Sequence, residues 1–149
     1  MNRRGFTLIE LMVVVLVLGV LSGISLLRFI DLRNTARAAE VTGDFRSITV
    51  AAYNYQSEGE VWPADGAPGV VPPVLVPLLP GGFMFDKGYY VLDYENLPLG
   101  SGAFMIGVTV TSSDADLMQK LIRNLGTRTP FFVGGASLTY IIVGASGAN

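Results

Sequence analysis

The N-terminal apolar run is the feature that most constrains the fold of this chain. Residues 11–27 are 17 uncharged residues in succession, and residues 6–27 contain one charged side chain, that of Glu10. About 20 apolar residues in a helix, each rising about 1.5 Å, cross a bilayer core of about 30 Å. The run therefore predicts a membrane helix. The basic residues Arg3 and Arg4 before it predict a cytoplasmic N-terminus.

The charged residue Glu10 helps to distinguish between the possible kinds of membrane segment. A secretory signal peptide would be cut after its apolar region, but the run continues through the small residues at 23–25. A plain single-span anchor accounts for the hydropathy and leaves the carboxylate unexplained, because an ionisable group within a span is costly without a partner. An interfacial carboxylate that reaches water or becomes protonated is the remaining simple explanation.

Residues 5–14, Gly-Phe-Thr-Leu-Ile-Glu-Leu-Met-Val-Val, resemble the class III leader junction of type IV pilins and type II secretion pseudopilins. The resemblance implies a leader at residues 1–5 that prepilin peptidase removes after Gly5, followed by N-methylation of Phe6. It also implies that Glu10 contacts the N-terminal amine of a neighbouring subunit during assembly. Pairing would offset the cost of burying both charges and would penalise a wrong register.

Two further positions in the span relate to helix packing. Gly19 and Gly23 have the Gly-xxx-Gly spacing that lets helices approach closely, although glycines are also simply tolerated in membrane helices. Many pilins have a loosened helical stretch here that ends at a proline. Leu27 occupies the usual position of that proline, so local melting of this helix stays open.

Residues 28–58 predict a continuation of the helix with an amphipathic period, giving one helix over 6–58 of about 80 Å. The expected apolar stripe consists of Phe29, Leu32, Ala36, Ala39, Phe45, Ile48, Ala52 and Tyr55. The charges on the other faces are most simply a solvated surface, and some of them could pair between neighbouring subunits.

Residues 59–149 predict a globular head. Residues 59–88 hold six of the eight prolines yet are strongly apolar, which indicates an ordered loop packed on a sheet or against a neighbouring subunit. Strands are predicted at 89–95, 103–111, 131–133 and 138–143, with a turn at 96–102. A short helix is predicted to begin near Asp114 and to stop at Gly126. The fold class is therefore α+β and pilin-like: a long N-terminal helix, its first half transmembrane, packed on a four-stranded antiparallel sheet with one short extra helix.

Composition excludes several kinds of chemistry. The chain has no Cys and no His, so thiol chemistry, disulfides and the commonest general base are absent. The net charge is −2 without a basic stripe, which argues against sequence-specific nucleic-acid contacts. Asp114 and Asp116 are better explained as helix-start residues than as calcium ligands. No catalytic site, metal site or cofactor is predicted.

The sequence accordingly predicts a prepilin, a structural subunit of a type IV pilus-like filament or fimbrium. The partners would be prepilin peptidase, identical or related pilin subunits in a helical polymer, and an inner-membrane assembly platform. The subunit would span the inner membrane once before assembly and join an extracellular or periplasmic filament afterwards. The filament would serve cell adhesion, twitching, DNA uptake or secretion. The alternatives are a pseudopilin of a type II secretion system and a membrane-anchored periplasmic binding module that never polymerises.

Overall fold

The computed structural model describes residues 6–100, 103–127 and 129–144, apart from the side chain of Leu27. In chain order, its elements are α1 (Leu8–Gly59), a 3₁₀ turn (Val76–Leu78), β1 (Val91–Gly100), β2 (Ala103–Thr111), α2 (Ala115–Leu125), β3 (Phe131–Gly134) and β4 (Ser137–Val143). The predicted α+β architecture is confirmed, because the second half of α1 packs on a four-stranded antiparallel sheet and α2 is the one further α-helix in the described ranges.

The C-terminal end of α1 is closed by its own backbone. Glu60 adopts a left-handed conformation with φ 58°, and its N–H donates to the carbonyl of Gln56 at 2.8 Å. Just beyond, the Trp62 ring packs edge-on against Tyr53 of α1, with ring centroids 5.2 Å apart. The chain is thereby turned back along the helix toward the sheet.

The buried stripe of α1 differs in part from the predicted one. Phe29, Leu32, Ala36 and Ala39 are exposed, whereas Phe45, Ile48 and Ala52 are buried as expected. The buried face begins with Asn34 and continues through Ala38, Val41, Phe45, Ile48, Ala51 and Ala52. The predicted stripe was wrong at its N-terminal end for two reasons. Alanines occupy two neighbouring faces of the helix, so they do not distinguish the buried face. The face that packs on the head also carries a polar residue, Asn34.

The sheet has the strand order β1-β2-β4-β3, with every pair antiparallel. Because α2 connects β2 to β3, the chain reaches the far edge first and returns through β4 beside β2. The Tyr140 ring of β4 stacks on Phe45 of α1 with centroids 5.2 Å apart. At Gly107 of β2 a Cβ would lie 2.9 Å from the carbonyl oxygen of Tyr140, so the two central strands approach as closely as they do because residue 107 is glycine.

Strand β1 is longer than predicted. Residues 96–100 continue the strand rather than starting a turn, and Leu97 pairs with Met105 while Pro98 pairs with Phe104. Proline has no backbone N–H, and in an inner strand every residue needs its N–H to bond to a neighbouring strand. β1 is an edge strand, so one of its two sides has no strand that requires a donor. The proline and glycine in this segment suggested a turn. The sequence alone does not show that the strand lies at the edge of the sheet, where a proline is tolerated.

The loop of residues 59–88 lies along the free edge of β1. Gly69 N–H donates to the carbonyl of Leu92 at 2.8 Å, and Asn96 Nδ2 donates to the carbonyl of Pro63 at 2.8 Å. Leu75 and Phe85 are fully buried. The loop thus covers much of an edge that would otherwise be open to another strand.

Candidate functional site

The candidate site is the N-terminal half of α1, which stands clear of the head. Every described side chain from Phe6 to Arg33 is exposed, and the described part of the chain first becomes buried at Asn34. The helix is long and apolar enough to cross a membrane by length and composition. Contiguous apolar surface of this extent on a folded protein marks a place that lipid or another protein covers.

Glu10 takes part in a reciprocal cap at the start of α1. Its backbone N–H donates to Thr7 Oγ1 at 3.3 Å, and Thr7 N–H donates to Glu10 Oε2 at 3.5 Å. The carboxylate therefore points toward the N-terminal end of the helix, where the unpaired N–H groups favour negative charge. Sequence reasoning missed this cap, although the Thr-x-x-Glu spacing signals it.

The remaining predicted site residues lie along the same segment. Phe6 precedes the helix with a side chain that is 72% exposed, whereas Gly5 and the rest of the predicted leader lie outside the described residues. Gly19 and Gly23 are part of an uninterrupted helix, and a Cβ added at either would meet nothing within 4 Å. The helix backbone also continues through Leu27. The structure therefore brings Phe6 and Glu10 within one helical turn and leaves the two glycines on open surface.

A polar cluster, here called the head clamp, fixes α1 to the head. Tyr90 donates a hydrogen bond to Asp44 Oδ2 at 2.6 Å, and Tyr89 donates one to Glu40. Lys87 Nζ lies 3.6 Å from a carboxylate oxygen of both Glu40 and Asp44. Five residues therefore join one face of the helix to the segment that precedes β1.

The head clamp extends to the start of α2 through Arg37. The guanidinium carbon lies 4.2 Å from the centre of the Tyr89 ring, and one guanidinium nitrogen lies 3.9 Å from Asp114 Oδ2. Asp114 also caps α2, since its Oδ1 accepts from Leu117 N–H at 3.1 Å. The predicted start of this helix at Asp114 is thereby explained. Arg37 links the helix, the loop and α2 at one point.

Burial governs the electrostatics of the head clamp. Burial raises the pKa of Asp44, although the hydrogen bond from Tyr90 and the charge of Lys87 oppose the shift. Burial, followed by the hydrogen bond to Glu40, raises the pKa of Tyr89 to about 12. Burial and Asp44 also raise the pKa of Tyr90 far above its usual range. Both tyrosines therefore remain hydrogen-bond donors at any physiological pH. The expectation that these helix charges form a solvated surface was wrong for Asp44, which is buried, whereas Glu40 remains exposed although it pairs with Tyr89 and Lys87.

The chemistry available in the described ranges is that of packing and charge pairing. No group of three acidic side chains within them could hold a metal ion. The head clamp is built from paired charges and hydrogen bonds that hold α1 in place, so it works as a joint between two elements rather than as a reactive centre.

Comparisons with known proteins bear on both parts of the chain. Residues 1–26 match the family model described as the prokaryotic N-terminal methylation motif. Over 65 residues the chain is 37% identical to the fimbrial protein EcpC of Eikenella corrodens, a match that covers 44% of this chain and 42% of the relative. The chain thus matches less than half the length of that curated relative.

The fold is similar to that of a solved structure, the major type IV pilin PilA1 from Clostridium difficile. The TM-score is 0.50 at 18% sequence identity, and the match covers 76% of this chain and 99% of that one. The motif, the fimbrial relative and the fold together confirm the resemblance that residues 5–14 predicted.

Proposed function

We propose that this chain, a type IV pilin-like structural subunit rather than an enzyme, is cleaved after Gly5, methylated at Phe6 and polymerised through α1. The match to the N-terminal methylation motif supports this processing, because it covers the junction and most of the apolar run. Prepilin peptidase and an inner-membrane assembly platform are the partners that the proposal requires. Before assembly the subunit spans the inner membrane once with its N-terminus in the cytoplasm, and afterwards it belongs to an extracellular or periplasmic filament.

The observation that carries the proposal is the exposed N-terminal half of α1. Each large aliphatic side chain that leaves water contributes about 1.5–3 kcal/mol, so a helix bearing this many cannot stay hydrated. Lipid covers it before assembly. In the filament the same surface packs against equivalent helices of identical or related subunits, and the core of the polymer replaces the bilayer.

Glu10 selects how the subunits dock. Cleavage after Gly5 creates an ammonium group at Phe6, beside an apolar surface. Packing the helices together removes both that charge and the carboxylate of a neighbour from water, and a buried charge left unpaired costs several kcal/mol. The reciprocal cap with Thr7 already points the Glu10 carboxylate toward the N-terminal end, where an approaching amine would meet it.

Gly19 and Gly23 allow close approach between helices in this arrangement. Both positions lack a side chain on an open surface of α1, so another backbone could come nearer there than elsewhere. Any loosening of the helix in the filament would start at these glycines, since no proline occurs before Pro63.

The first experiment is mass spectrometry of the mature N-terminus, made on the chain from cells that carry the peptidase. The proposal predicts a chain that begins with methylated Phe6. A chain that keeps Met1, or one cut near Ser25, would contradict it.

The second experiment tests Glu10 by substitution. Glu10→Gln keeps the shape of the side chain and removes its charge, so filament yield should fall at least tenfold while the membrane-bound subunit pool is unchanged. The matched control is Glu58→Gln, the same change at an exposed position near the far end of α1. Normal filaments from the Glu10 variant would refute the docking role. A wild-type chain that is processed but forms no filament would instead favour the non-polymerising module.

The kind of filament is a separate question with its own test. Deletion of the gene in its host would abolish surface fibres and adhesion if the filament is a pilus. It would abolish export of secreted enzymes if the filament is a type II secretion pseudopilus. The fimbrial relative favours the pilus.

A further inference from the structure

The side of α1 that faces away from the head carries a regular row of exposed residues. It lies opposite the buried positions Val41, Phe45 and Ile48, which pack on the head. The row advances in alternating steps of three and four residues, the spacing with which one helix packs along another. We call its part beside the head the upper seam, and its members are Ala36, Ala39, Gly43, Arg46, Val50 and Tyr53.

The same spacing continues into the N-terminal half of α1, so a single row of exposed residues runs along the helix. Phe29 and Leu32, which are 63% and 66% exposed, join its two parts. We call the part before them the lower seam, and its members, all exposed, are Leu8, Leu11, Val15, Leu18, Ser22 and Ser25.

Lipid accounts for the exposure of the lower seam but not for that of the upper seam. If residues 6–27 fill the bilayer core, Gly43 lies roughly 24 Å beyond it at about 1.5 Å per residue. Hydrocarbon does not reach that far, yet Val50 and Tyr53 are 55% and 40% exposed. A narrow row with heptad spacing is typical of a helix that packs on another helix. The apolar helix that a second copy of this chain supplies is its own lower seam.

The two seams are complementary in size when one copy is displaced along the other by four heptads. Their members then pair in order, from Ala36 opposite Leu8 to Tyr53 opposite Ser25. The first three upper members, which are alanine or glycine, each meet a leucine or a valine. Val50 and Tyr53, which are large, each meet a serine. Small residues opposite large ones let two helices interdigitate without voids or clashes.

The length of the head fits the same displacement. The head-bound part of α1, residues 34–59, is about 39 Å long at about 1.5 Å per residue, and four heptads are about 42 Å. Two heads displaced by this distance follow each other along the axis without overlap, so their helices can touch. Displacement by three or five heptads would instead bring Tyr53 against Leu32 or Leu18, large against large.

The lower seam is hollow at the point that Tyr53 would meet. A space of about 430 Å³ lies beside the helix around Ser22 and Ser25. Ser25 Oγ donates to the carbonyl of Leu21 at 2.9 Å, so its lone pairs remain free to accept a hydrogen bond. The Tyr53 ring is held by Trp62, with ring centroids 5.2 Å apart, and its hydroxyl needs an acceptor once it is buried. The hollow therefore suits both the ring and the hydroxyl group.

Arg46, the one charged member of the two seams, opposes pairing without displacement. It has no carboxylate within 4.0 Å in the described ranges, and two copies side by side would bring two such guanidinium groups together. In the displaced pair Arg46 faces Leu18. A groove of about 200 Å³, lined also by Thr42 and Tyr140, gives its guanidinium room beside the seam while its stem covers the leucine.

We propose that the upper seam of each subunit binds the lower seam of a second copy displaced toward its head by four heptads, about 42 Å. The surface that binds differs from the surface that is bound, so the contact does not close on a pair and continues from copy to copy. This inference rests on the proposed function, because it names the surface through which the polymer grows.

Disulfide cross-linking within filaments tests the register. The chain has no native cysteine, so Gly43→Cys combined with Val15→Cys supplies the two thiols that this register brings together. Oxidation of filaments should give a ladder of cross-linked multimers. The matched control combines Gly43→Cys with Val13→Cys, an exposed valine outside the seam at nearly the same depth, and should give at least tenfold less cross-linking.

An exchange of side-chain size tests the fit. A Cβ at Gly43 would meet nothing within 4 Å among the described residues, and leucine favours a helix over glycine, so Gly43→Leu should leave the subunit folded. Filament yield should nevertheless fall at least tenfold. Adding Val15→Ala should restore the yield to within twofold of the wild type, whereas adding Val13→Ala should not. Glu58→Leu, which adds a leucine at an exposed position of α1 outside the seam, should leave the yield unchanged.

The failure of this inference is distinguishable from that of the proposed function. Normal filament yield from Gly43→Leu, or filaments without cross-links between positions 43 and 15, would overturn the seam and leave polymerisation through α1 intact. Dimers without longer products from Gly43→Cys alone would indicate pairing without displacement and also overturn it. Absence of wild-type filaments in electron micrographs would contradict the proposed function, and the seam with it.

Discussion

Tyr90 and Tyr94 offer a matched test of how the head is stabilised. Both are on the same side of the β1 region and almost fully buried, at 1% and 0% exposure. The Tyr90 hydroxyl donates to Asp44 at 2.6 Å, whereas the Tyr94 hydroxyl has no partner in the described part of the chain. The same substitution, tyrosine to phenylalanine, should therefore have opposite effects at the two positions.

The magnitudes follow from the contacts. Tyr90→Phe removes a hydrogen bond to a buried carboxylate, which is worth about 1.5–3 kcal/mol, and Lys87 at 3.6 Å compensates in part, so we expect a loss of about 2 kcal/mol. Tyr94→Phe removes an unpaired buried hydroxyl and should increase the free energy of unfolding by about 1 kcal/mol. With a urea dependence of about 2 kcal/mol per molar, the two midpoints should differ by about 1.5 M.

The assay is urea unfolding of the full chain in nonionic detergent. Trp62 is the sole tryptophan, and its packing against Tyr53 makes its fluorescence report on the junction of α1 and the head. The reasoning would be refuted if Tyr94→Phe lowered the midpoint as much as Tyr90→Phe does. Equal effects would mean that both hydroxyl groups are satisfied to the same extent.

Two further predictions concern Asp93 and Gly107. Burial, with a smaller contribution from Glu95, raises the pKa of Asp93 to about 6, above the usual range of an aspartate. The folded state therefore binds a proton that the unfolded state has lost, and stability falls as pH rises between about 4 and 6. Asp93→Asn should make the head about 1 kcal/mol more stable than the wild type at pH 7.5, after allowing for solvent screening. This difference in stability should disappear below pH 4. Urea midpoints of the two proteins that differ equally at both pH values would contradict this. Gly107→Ala forces a Cβ against the Tyr140 carbonyl and should cost about 2 kcal/mol or more in thermal unfolding, whereas Gly43→Ala on the open helix surface should gain up to about 1 kcal/mol. A tolerated Gly107→Ala would mean that β2 and β4 separate easily.

The order of elements was predictable because each is encoded locally. Apolar periodicity gave α1 and α2, Asp114 and Gly126 marked the ends of α2, and β-branched runs between breakers gave the strands. The N-terminal motif was predictable for the same reason, since Gly5, Phe6 and Glu10 lie within six consecutive positions. The comparisons confirm that the motif resembles that of pilins. The individual roles of Gly5, Phe6 and Glu10 stay predictions.

The head clamp was not predictable because its partners are far apart in the chain. Glu40 and Asp44 looked like solvated helix charges, and their partners Tyr89 and Tyr90 lie 49 and 46 residues further on. Asn34 was left out of the predicted stripe because it is polar, although its side chain is only 4% exposed in the structure. Local sequence patterns predict the helices and strands. Which face of a long helix packs against the head is set by tertiary contacts, which those patterns do not show.

The separation of α1 into an uncovered half and a head-bound half has a mechanical consequence. No described residue before Asn34 is buried by the head. In a filament built on those helices, tension would travel from subunit to subunit along the helical core and would bypass the sheet altogether. A head that is only marginally stable, as most domains are at about 5–15 kcal/mol, would then set no limit on the tensile strength of the fibre. Its loops and strands would be free to change sequence while the fibre keeps its strength.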